Sequence, residues 1–206
     1  MEKYYLEKPT MVRKNEALDY IKEHIEYHSE MNGTGSMEKC LEEMTYEEWL
    51  EELEKKKSEK YMNHIGWVPS LTFFLIRKSD NKIIGMINLR YHLTEKDIKN
   101  GASHIGYGIR PTERRKGYNK INLYLGLIEE KKLGEKKVLI ECLKDNEGSN
   151  KTILALGGTL EKTEIDPWDN ELTNYYWIDV EKSIEKYKQK YIDFISKKYL
   201  ESGKNE

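Results

Sequence analysis

The chain has 206 residues, enough for one substantial core and at most two domains. Its 35 Lys and Arg against 37 Asp and Glu leave a net charge of −2, so no global basic field favours nucleic acid or an anionic membrane. Two cysteines, Cys40 and Cys142, exclude a disulfide framework, and no apolar run approaches the roughly 18 residues of a membrane span. The opening MEKYYLEKPT lacks the apolar stretch of a signal peptide, so the expected address is the cytoplasm.

Tyr4 to Leu6 reads as a short strand closed by Pro9. Residues 14–30 read as a helix, with Leu18, Ile21, Ile25 and His28 on one face at spacings of three and four. The glycine-containing stretch 32–36 is a loop. Thr45-Tyr46-Glu47-Glu48 resembles a capping box that opens a second helix to about Lys57, with Trp49, Leu50 and Leu53 inward. The stretch from there to Pro69 reads as irregular. Leu71 to Ile76 and Lys82 to Leu93 form a hairpin about a turn at 79–82, and residues 102–110 add a third strand ended by Pro111.

A helix is expected from about Lys116 to Leu133, with Ile121, Tyr124, Leu125 and Ile128 facing the core. Val138 to Leu143 is a strand, and Ser149 to Leu156 is a helix ended by Gly157-Gly158. Thr159 to Thr163 and Asn174 to Val180 are strands. Ile184, Tyr187, Tyr191, Phe194 and Ile195 stripe a terminal helix. This order implies an α/β or α+β sandwich with helices on both faces.

The most informative segment is Ile105 to Asn119: a strand, a basic loop containing Gly117, then a helix. A helix start offers unpaired N–H groups and the positive end of the dipole. Arg110, Arg114, Arg115, Lys116 and Lys120 surround it, opposed only by Glu113, which makes the loop a phosphate cradle by mechanism. It is neither a P-loop nor a dinucleotide fingerprint, because the glycine and Lys-Ser/Thr spacings of both are absent. The bland alternative is a solvated basic helix cap.

Arg114-Arg115-Lys116-Gly117-Tyr118-Asn119 resembles the Gln/Arg-x-x-Gly-x-Gly/Ala motif of the GNAT acetyltransferase superfamily. Asp145 to Ser149 resembles that family's asparagine-to-helix motif, and the order of elements from Tyr4 to Val180 is similar throughout. Val68-Pro69-Ser70 brings the likeness nearest to predicted bacterial GNAT acetyltransferases. The resemblance implies a mixed, mostly antiparallel central sheet with helices on both faces. It divides the chain into a catalytic domain at 1–180 and a helical extension at 181–206, packed on or beside it. It also implies acetyl-CoA as co-substrate. The pyrophosphate would fall to the backbone of Arg115, Gly117, Tyr118 and Asn119, framed by Arg114 and Lys116. Ile109 and Arg110 would pair with the pantetheine arm through their backbone. Asn146 would reach the same arm, and Ser149 would cap the following helix beside it.

Two departures stand out. Asn119 replaces the usual glycine or alanine, and Ile153 occupies the position where many members keep a tyrosine as general acid.

Acetyl transfer to an amine also needs a base, and His104 is the expected one. By alternation it shares a face with Gly106 and Gly108, which should leave room for a ligand. Arg90 and His92 share a face of the neighbouring strand and are expected to bind substrate, Arg90 meeting His104 across the hairpin and suited to a carboxylate or phosphate. At least one of Tyr175, Tyr176 and Trp177 is expected in the core. His24 and His28 stand four apart on a helix, but nothing completes a metal site, and no metal is expected. Cys142 reads as core. The loop at Gly33 and Gly35 is expected to wall the acceptor groove.

The function expected is N-acetylation of a primary amine on a small molecule or peptide, by a monomer or homodimer. A non-catalytic acyl-CoA-binding or sensing module is the alternative, prompted by Ile153. A nucleic-acid-binding role would rest on the local basic loop alone, against a balanced remaining surface.

Overall fold

The computed structural model describes residues 1–167, 169–197 and 199. The strands among them form two antiparallel sheets. The first runs in the order β1 (Tyr4–Glu7), β2 (Ser70–Arg77), β3 (Lys82–Arg90) and β4 (Ile105–Ile109). The second holds β5 (Lys137–Leu143), β6 (Thr159–Ile165) and β7 (Leu172–Asp179), with β7 in the middle. They meet at one place. The His104 N–H donates to the Leu139 carbonyl at 2.8 Å, and the Leu139 N–H donates to His104 Nδ1 at 3.0 Å. No ladder joins β4 to β5 beyond that point among the described residues, so a notch opens between the two strands.

Residues opposite one another in an antiparallel pair share a face. Ile87, Leu89, Ile105 and Ile109 face α5 (Tyr118–Lys132), whose Ile121, Tyr124 and Leu125 complete that core. Phe74, Ile76, Ile83 and Met86 face α1 (Lys14–Glu26) and α2 (Tyr46–Lys56), meeting Ala17, Tyr20, Ile21 and Trp49. Burial of each such large apolar side chain is worth about 1.5–3 kcal/mol. Helices thus cover both faces, as the element order implies.

The local signals act as chemistry dictates. Thr45 and Glu48 form the expected reciprocal cap, the Glu48 N–H donating to Thr45 Oγ1 and the Thr45 N–H to the Glu48 carboxylate. Helix α1 is shorter than expected: His28 adopts φ +48° and the Ser29 N–H closes onto the His24 carbonyl. Its buried face is Ala17, Tyr20, Ile21 and His24, with Ile25 and His28 outside. Two short helices were not expected: α3 (Glu59–His64), capped by Ser58, lies in a stretch read as irregular, and α4 (Glu95–Lys99), capped reciprocally by Thr94 and Asp97, lies between the second and third expected strands. Both are too short to show a periodic apolar stripe.

α6 (Glu147–Ala155) follows β5, and α7 (Val180–Tyr191) follows β7. The Tyr124 hydroxyl donates to the Ile184 carbonyl, and Ser183 Oγ to the Leu156 carbonyl, which fixes α7 on α5 and α6. Past α7 the Ser196 N–H reaches the Tyr4 carbonyl at 3.0 Å. Of the expected 181–206 extension, residues 198 and 200–206 lie outside the described residues. The outermost strand β6 is exposed along its whole length and shifts register between Leu160 and Lys162. No described helix is long and apolar enough to cross a membrane.

One core position is unfavourable. Glu130 on α5 is fully buried, and neither carboxylate oxygen has a hydrogen-bond partner among the described residues. Burial raises its pKa well above the ordinary carboxylate value, with Glu135 adding and Arg90 opposing. A carboxyl whose folded pKa is raised favours folding only below its unfolded pKa and costs stability as pH climbs above it. Glu130→Met is therefore expected to stabilise the fold at pH 7 by about 1–4 kcal/mol. Urea unfolding should also show a flatter decline in stability from about pH 4.5 upward. A destabilised variant would mean that the carboxyl has a structural partner after all.

Candidate active site

The notch is built from β4, β5 and the starts of α5 and α6. At its α5 end, a 3-10 turn at Pro111–Glu113 leads into an exposed basic loop. Arg115 and Gly117 take φ of +62° and +84°, and Gly117 stands at the N-cap of α5. The N–H groups of Gly117, Tyr118 and Asn119 have no acceptor among the described residues. A Cβ on Gly117 would meet nothing within 4 Å, so the glycine is required by its backbone angle and leaves that side open. Glu113 is buried and paired to Arg77, Lys82 and Lys116, which neutralises the one opposing charge. Arg114 donates from Nε to the Ile109 carbonyl and from Nη2 to Ser29 Oγ. Arg115 makes no hydrogen bond or ion pair with the described residues. The Tyr118 ring packs on Tyr4 in the core, so only its backbone is offered here. Asn119 turns its Oδ1 back toward Asn122.

Arg110 does not join this group. Its N–H donates to the Ile84 carbonyl, and its buried guanidinium donates to Asp19 and Glu23 beneath α1. An arginine so enclosed positions the loop from behind. Its backbone already serves β3 and cannot also pair with a ligand, contrary to expectation.

At the other wall, the helix cap is Asn146 and not Ser149, contrary to expectation. Asn146 is the N-cap of α6, accepting the Ser149 N–H at 3.0 Å. Ser149 is free of capping, and its Oγ stands 2.7 Å from the Tyr107 hydroxyl, a bridge across the notch. Burial pushes the Tyr107 phenol above its ordinary pKa, and the Cys142 thiol beside it up to about 11. Ile153 is fully buried. Its methyl would stand 2.4 Å from a Cβ on Gly158, so its place is in the core.

On the opposite face of β4 the room beneath Gly106 and Gly108 is occupied by the chain itself. A Cβ on Gly108 would stand 2.8 Å from the Asn32 carbonyl oxygen, and one on Gly33 would stand 2.4 Å from the Gly106 oxygen. The 32–36 loop thus lies directly on β4. The paired glycines admit a wall where a ligand was expected.

Arg90 and His104 do sit opposite one another, the Arg90 N–H donating to the His104 carbonyl at 2.7 Å. The expectation that His104 is the base is corrected. Its Nδ1 already accepts the Leu139 N–H, its Nε2 faces Glu135 at 3.8 Å, and Trp177 covers its ring edge-on. Burial lowers its pKa, so it stays neutral with its only lone pair occupied. His92 lies beyond the end of β3, exposed at φ +58°, with Nδ1 3.9 Å from Glu59. It does not share the site with Arg90.

A group that the sequence reading passed over does. Glu141, half-buried on β5, accepts a hydrogen bond from Ser103 Oγ at 2.9 Å through Oε1, while its buried Oε2 has no hydrogen-bond partner among the described residues. Burial raises its pKa, the Ser103 hydrogen bond and Arg90 oppose the rise, and Asp166 and Asp169 add to it. The available signal was a single charge inside the apolar run Val138-Leu139-Ile140-Glu141-Cys142-Leu143. Both Tyr175 and Tyr176 are buried on opposite faces of β7, hydrogen-bonded to Asp166 and Asn150. Among the described residues no cluster of His, Cys, Asp or Glu could hold a metal, and His24 bonds the Tyr20 carbonyl.

A notch between two sheet halves, closed at one end by a basic helix start, can take an extended ligand with an anionic end. The family model for the acetyltransferase (GNAT) domain matches residues 17–159, and the chain belongs to that family. Solved structures share the fold. The microcin self-immunity acetyltransferase MccE, determined with acetyl-CoA and AMP, is 22% identical over 86% of this chain and 92% of its own, with a TM-score of 0.58. RimJ of Mycobacterium smegmatis, determined with CoA-disulfide, is 12% identical over 91% of both chains, with a TM-score of 0.64. A GNAT-family acetyltransferase of Bacillus anthracis is 17% identical over 88% of this chain and 99% of its own, with a TM-score of 0.54. No curated protein sequence matches the chain.

Proposed function

We propose that this protein transfers an acetyl group from acetyl-CoA to a primary amine of a small molecule or peptide, by direct attack in a ternary complex. The observation that carries the reading is the helix start at Gly117: amides without acceptors among the described residues, beside Arg115, which makes no hydrogen bond or ion pair with those residues, opening onto the notch. That arrangement suits a pyrophosphate. The edge of β4 at Tyr107 and the Ile109 N–H, beside the Ile109 carbonyl that Arg114 holds, suits the extended arm behind it. The catalytic region falls within residues 1–180 in this reading.

The chemistry divides between two carriers of protons. Glu141 takes the proton of the attacking ammonium, directly or through a water, since its Oε2 has no hydrogen-bond partner among the described residues and burial raises its pKa. The departing thiolate takes a proton from the Tyr107–Ser149 hydroxyl pair, which stands in for the tyrosine replaced at Ile153. This pair favours an enzyme over a purely acyl-CoA-sensing module, because the missing acid was the sensing reading's main support.

The test is release of free thiol from acetyl-CoA with a panel of amines, together with CoA affinity by calorimetry. Gly117→Glu is expected to weaken CoA more than tenfold, about 1.4 kcal/mol, by placing a like charge beside the pyrophosphate. Unchanged affinity in a variant that retains its circular dichroism would remove the pyrophosphate assignment.

A further inference from the structure

Three arginines that leave solvent are each neutralised by two carboxylates: Arg13 by Glu7 and Glu16, Arg77 by Asp80 and Glu113, Arg110 by Asp19 and Glu23. Arg90 is the exception. Its side-chain hydrogen bonds run from Nη1 to the Ser103 carbonyl at 2.7 Å and to Ser103 Oγ at 3.4 Å. No carboxylate among the described residues lies within ion-pair distance of it, and Glu141 and Glu130 act on it only at longer range. Its Nη2 lies 3.6 Å from where a Gly106 Cβ would stand, which puts the free side of the guanidinium at the acceptor face of β4, next to the Gly33 wall. A desolvated cation is costly unless a counter-charge pairs with it, and here the described residues supply two hydrogen bonds to Ser103 but no carboxylate within ion-pair distance.

Ser103 links this cation to the base. The same Oγ that lies against Arg90 donates to Glu141, whose other oxygen is unpaired. An open guanidinium and a half-satisfied carboxylate thus flank one small hydroxyl. Their ligand complement is a molecule carrying an anion and an ammonium a short distance apart.

We propose that Arg90, Ser103 and Glu141 form a zwitterion subsite, and that the acceptor is a free amino acid with its carboxylate one or two carbons from the amine. The carboxylate binds the open edge of Arg90, a planar fork matched to it. The ammonium meets Glu141 and is deprotonated there. A peptide N-terminus carries a neutral amide in place of that carboxylate and leaves Arg90 unpaired, so it is disfavoured. This inference rests on the acetyltransferase reading above and narrows its substrate class.

The experiment compares matched acceptors with one side chain: the amino acid, its amide, the decarboxylated amine and the aminophosphonate, across the standard side chains. Acetyl transfer is followed by thiol release, and binding to the CoA-loaded protein by calorimetry. At least a tenfold preference in kcat/KM for acid over amide is expected for the best side chain. Arg90→Gln should erase that preference by raising KM for the acid towards that for the amide, and Arg90→Lys should retain part of it, which also guards against a folding defect in the glutamine variant. Amides or plain amines equal to or better than the acids would overturn the proposal, as would a preference that survives in Arg90→Gln. A tenfold preference for the aminophosphonate would replace the carboxylate by a phosphonate or phosphate. Amino-acid binding that is lost in Arg90→Gln, with no acetyl transfer to any acceptor, would support the subsite and overturn the enzyme reading instead. Absence of binding for every amino acid would overturn the subsite.

Discussion

Glu141→Gln is expected to lower kcat/KM by roughly 10²–10⁴ while leaving CoA affinity intact. Glutamine keeps the shape and can still accept from Ser103, but it cannot take a proton. Burial holds the Glu141 carboxyl above its ordinary value of 4.5, against the pull of Ser103 and Arg90. Only the ionised form is a base, so activity should rise with pH through this raised pKa and reach a plateau above it. The variant should lose that limb of the profile as well as the rate. Turnover within a few-fold of the parent, with the same pH dependence, would show that the amine reaches the notch already neutral and that Glu141 only shapes it. The loss would amount to about 2.7–5.4 kcal/mol of transition-state stabilisation, at 1.36 kcal/mol per decade.

Gly33→Ala should be the most damaging small substitution near the site. Its φ of +71° disfavours any side chain, and the new methyl would lie 2.4 Å from the Gly106 oxygen and 2.6 Å from Tyr107 Cα. Both neighbours are backbone of β4 and cannot swing aside. The strain alone is worth about 1–3 kcal/mol, and the loop relieves it only by lifting from the strand. Stability should fall by at least that amount in urea, and KM for the amine should rise as the wall withdraws. A change smaller than about 0.5 kcal/mol, the range of an ordinary surface substitution, would mean that the 32–36 loop is not held on β4.

The basic helix start was legible because its chemistry is local. Gly117, the cations around it and the α5 stripe lie within a few residues of one another. The hairpin was legible for the same reason: two nearly continuous apolar runs stand on either side of a polar turn. The acceptor face was not. His104 looked like a base because it shares a strand face with two glycines, but the Leu139 amide that occupies its Nδ1 comes from 35 residues away. Arg110 looked like part of the cradle because it precedes Pro111, and its partners Asp19 and Glu23 lie on α1, far off in sequence. Glu141 was hidden in an apolar strand because nothing local distinguishes a strand edge that borders a notch from one that borders solvent. In α1 two faces fit the helical period. The one built on Ala17, Tyr20 and His24 won because tyrosine and histidine bury well when their polar atoms or rings find company.

The exposed strand β6 has a consequence for how these molecules meet one another in concentrated solution. It ends its sheet with a full row of backbone groups open to any passing extended chain, a template for fibrous growth. Three features blunt it. The register shift between Leu160 and Lys162 bends the ladder, the charges of Glu161, Lys162 and Glu164 interrupt its apolar residues, and Lys162 is drawn back over the Tyr175 ring at 4.7 Å. Two copies aligned antiparallel about Lys162 would bring ammonium against ammonium, so the most symmetric self-pairing is also the one that repels.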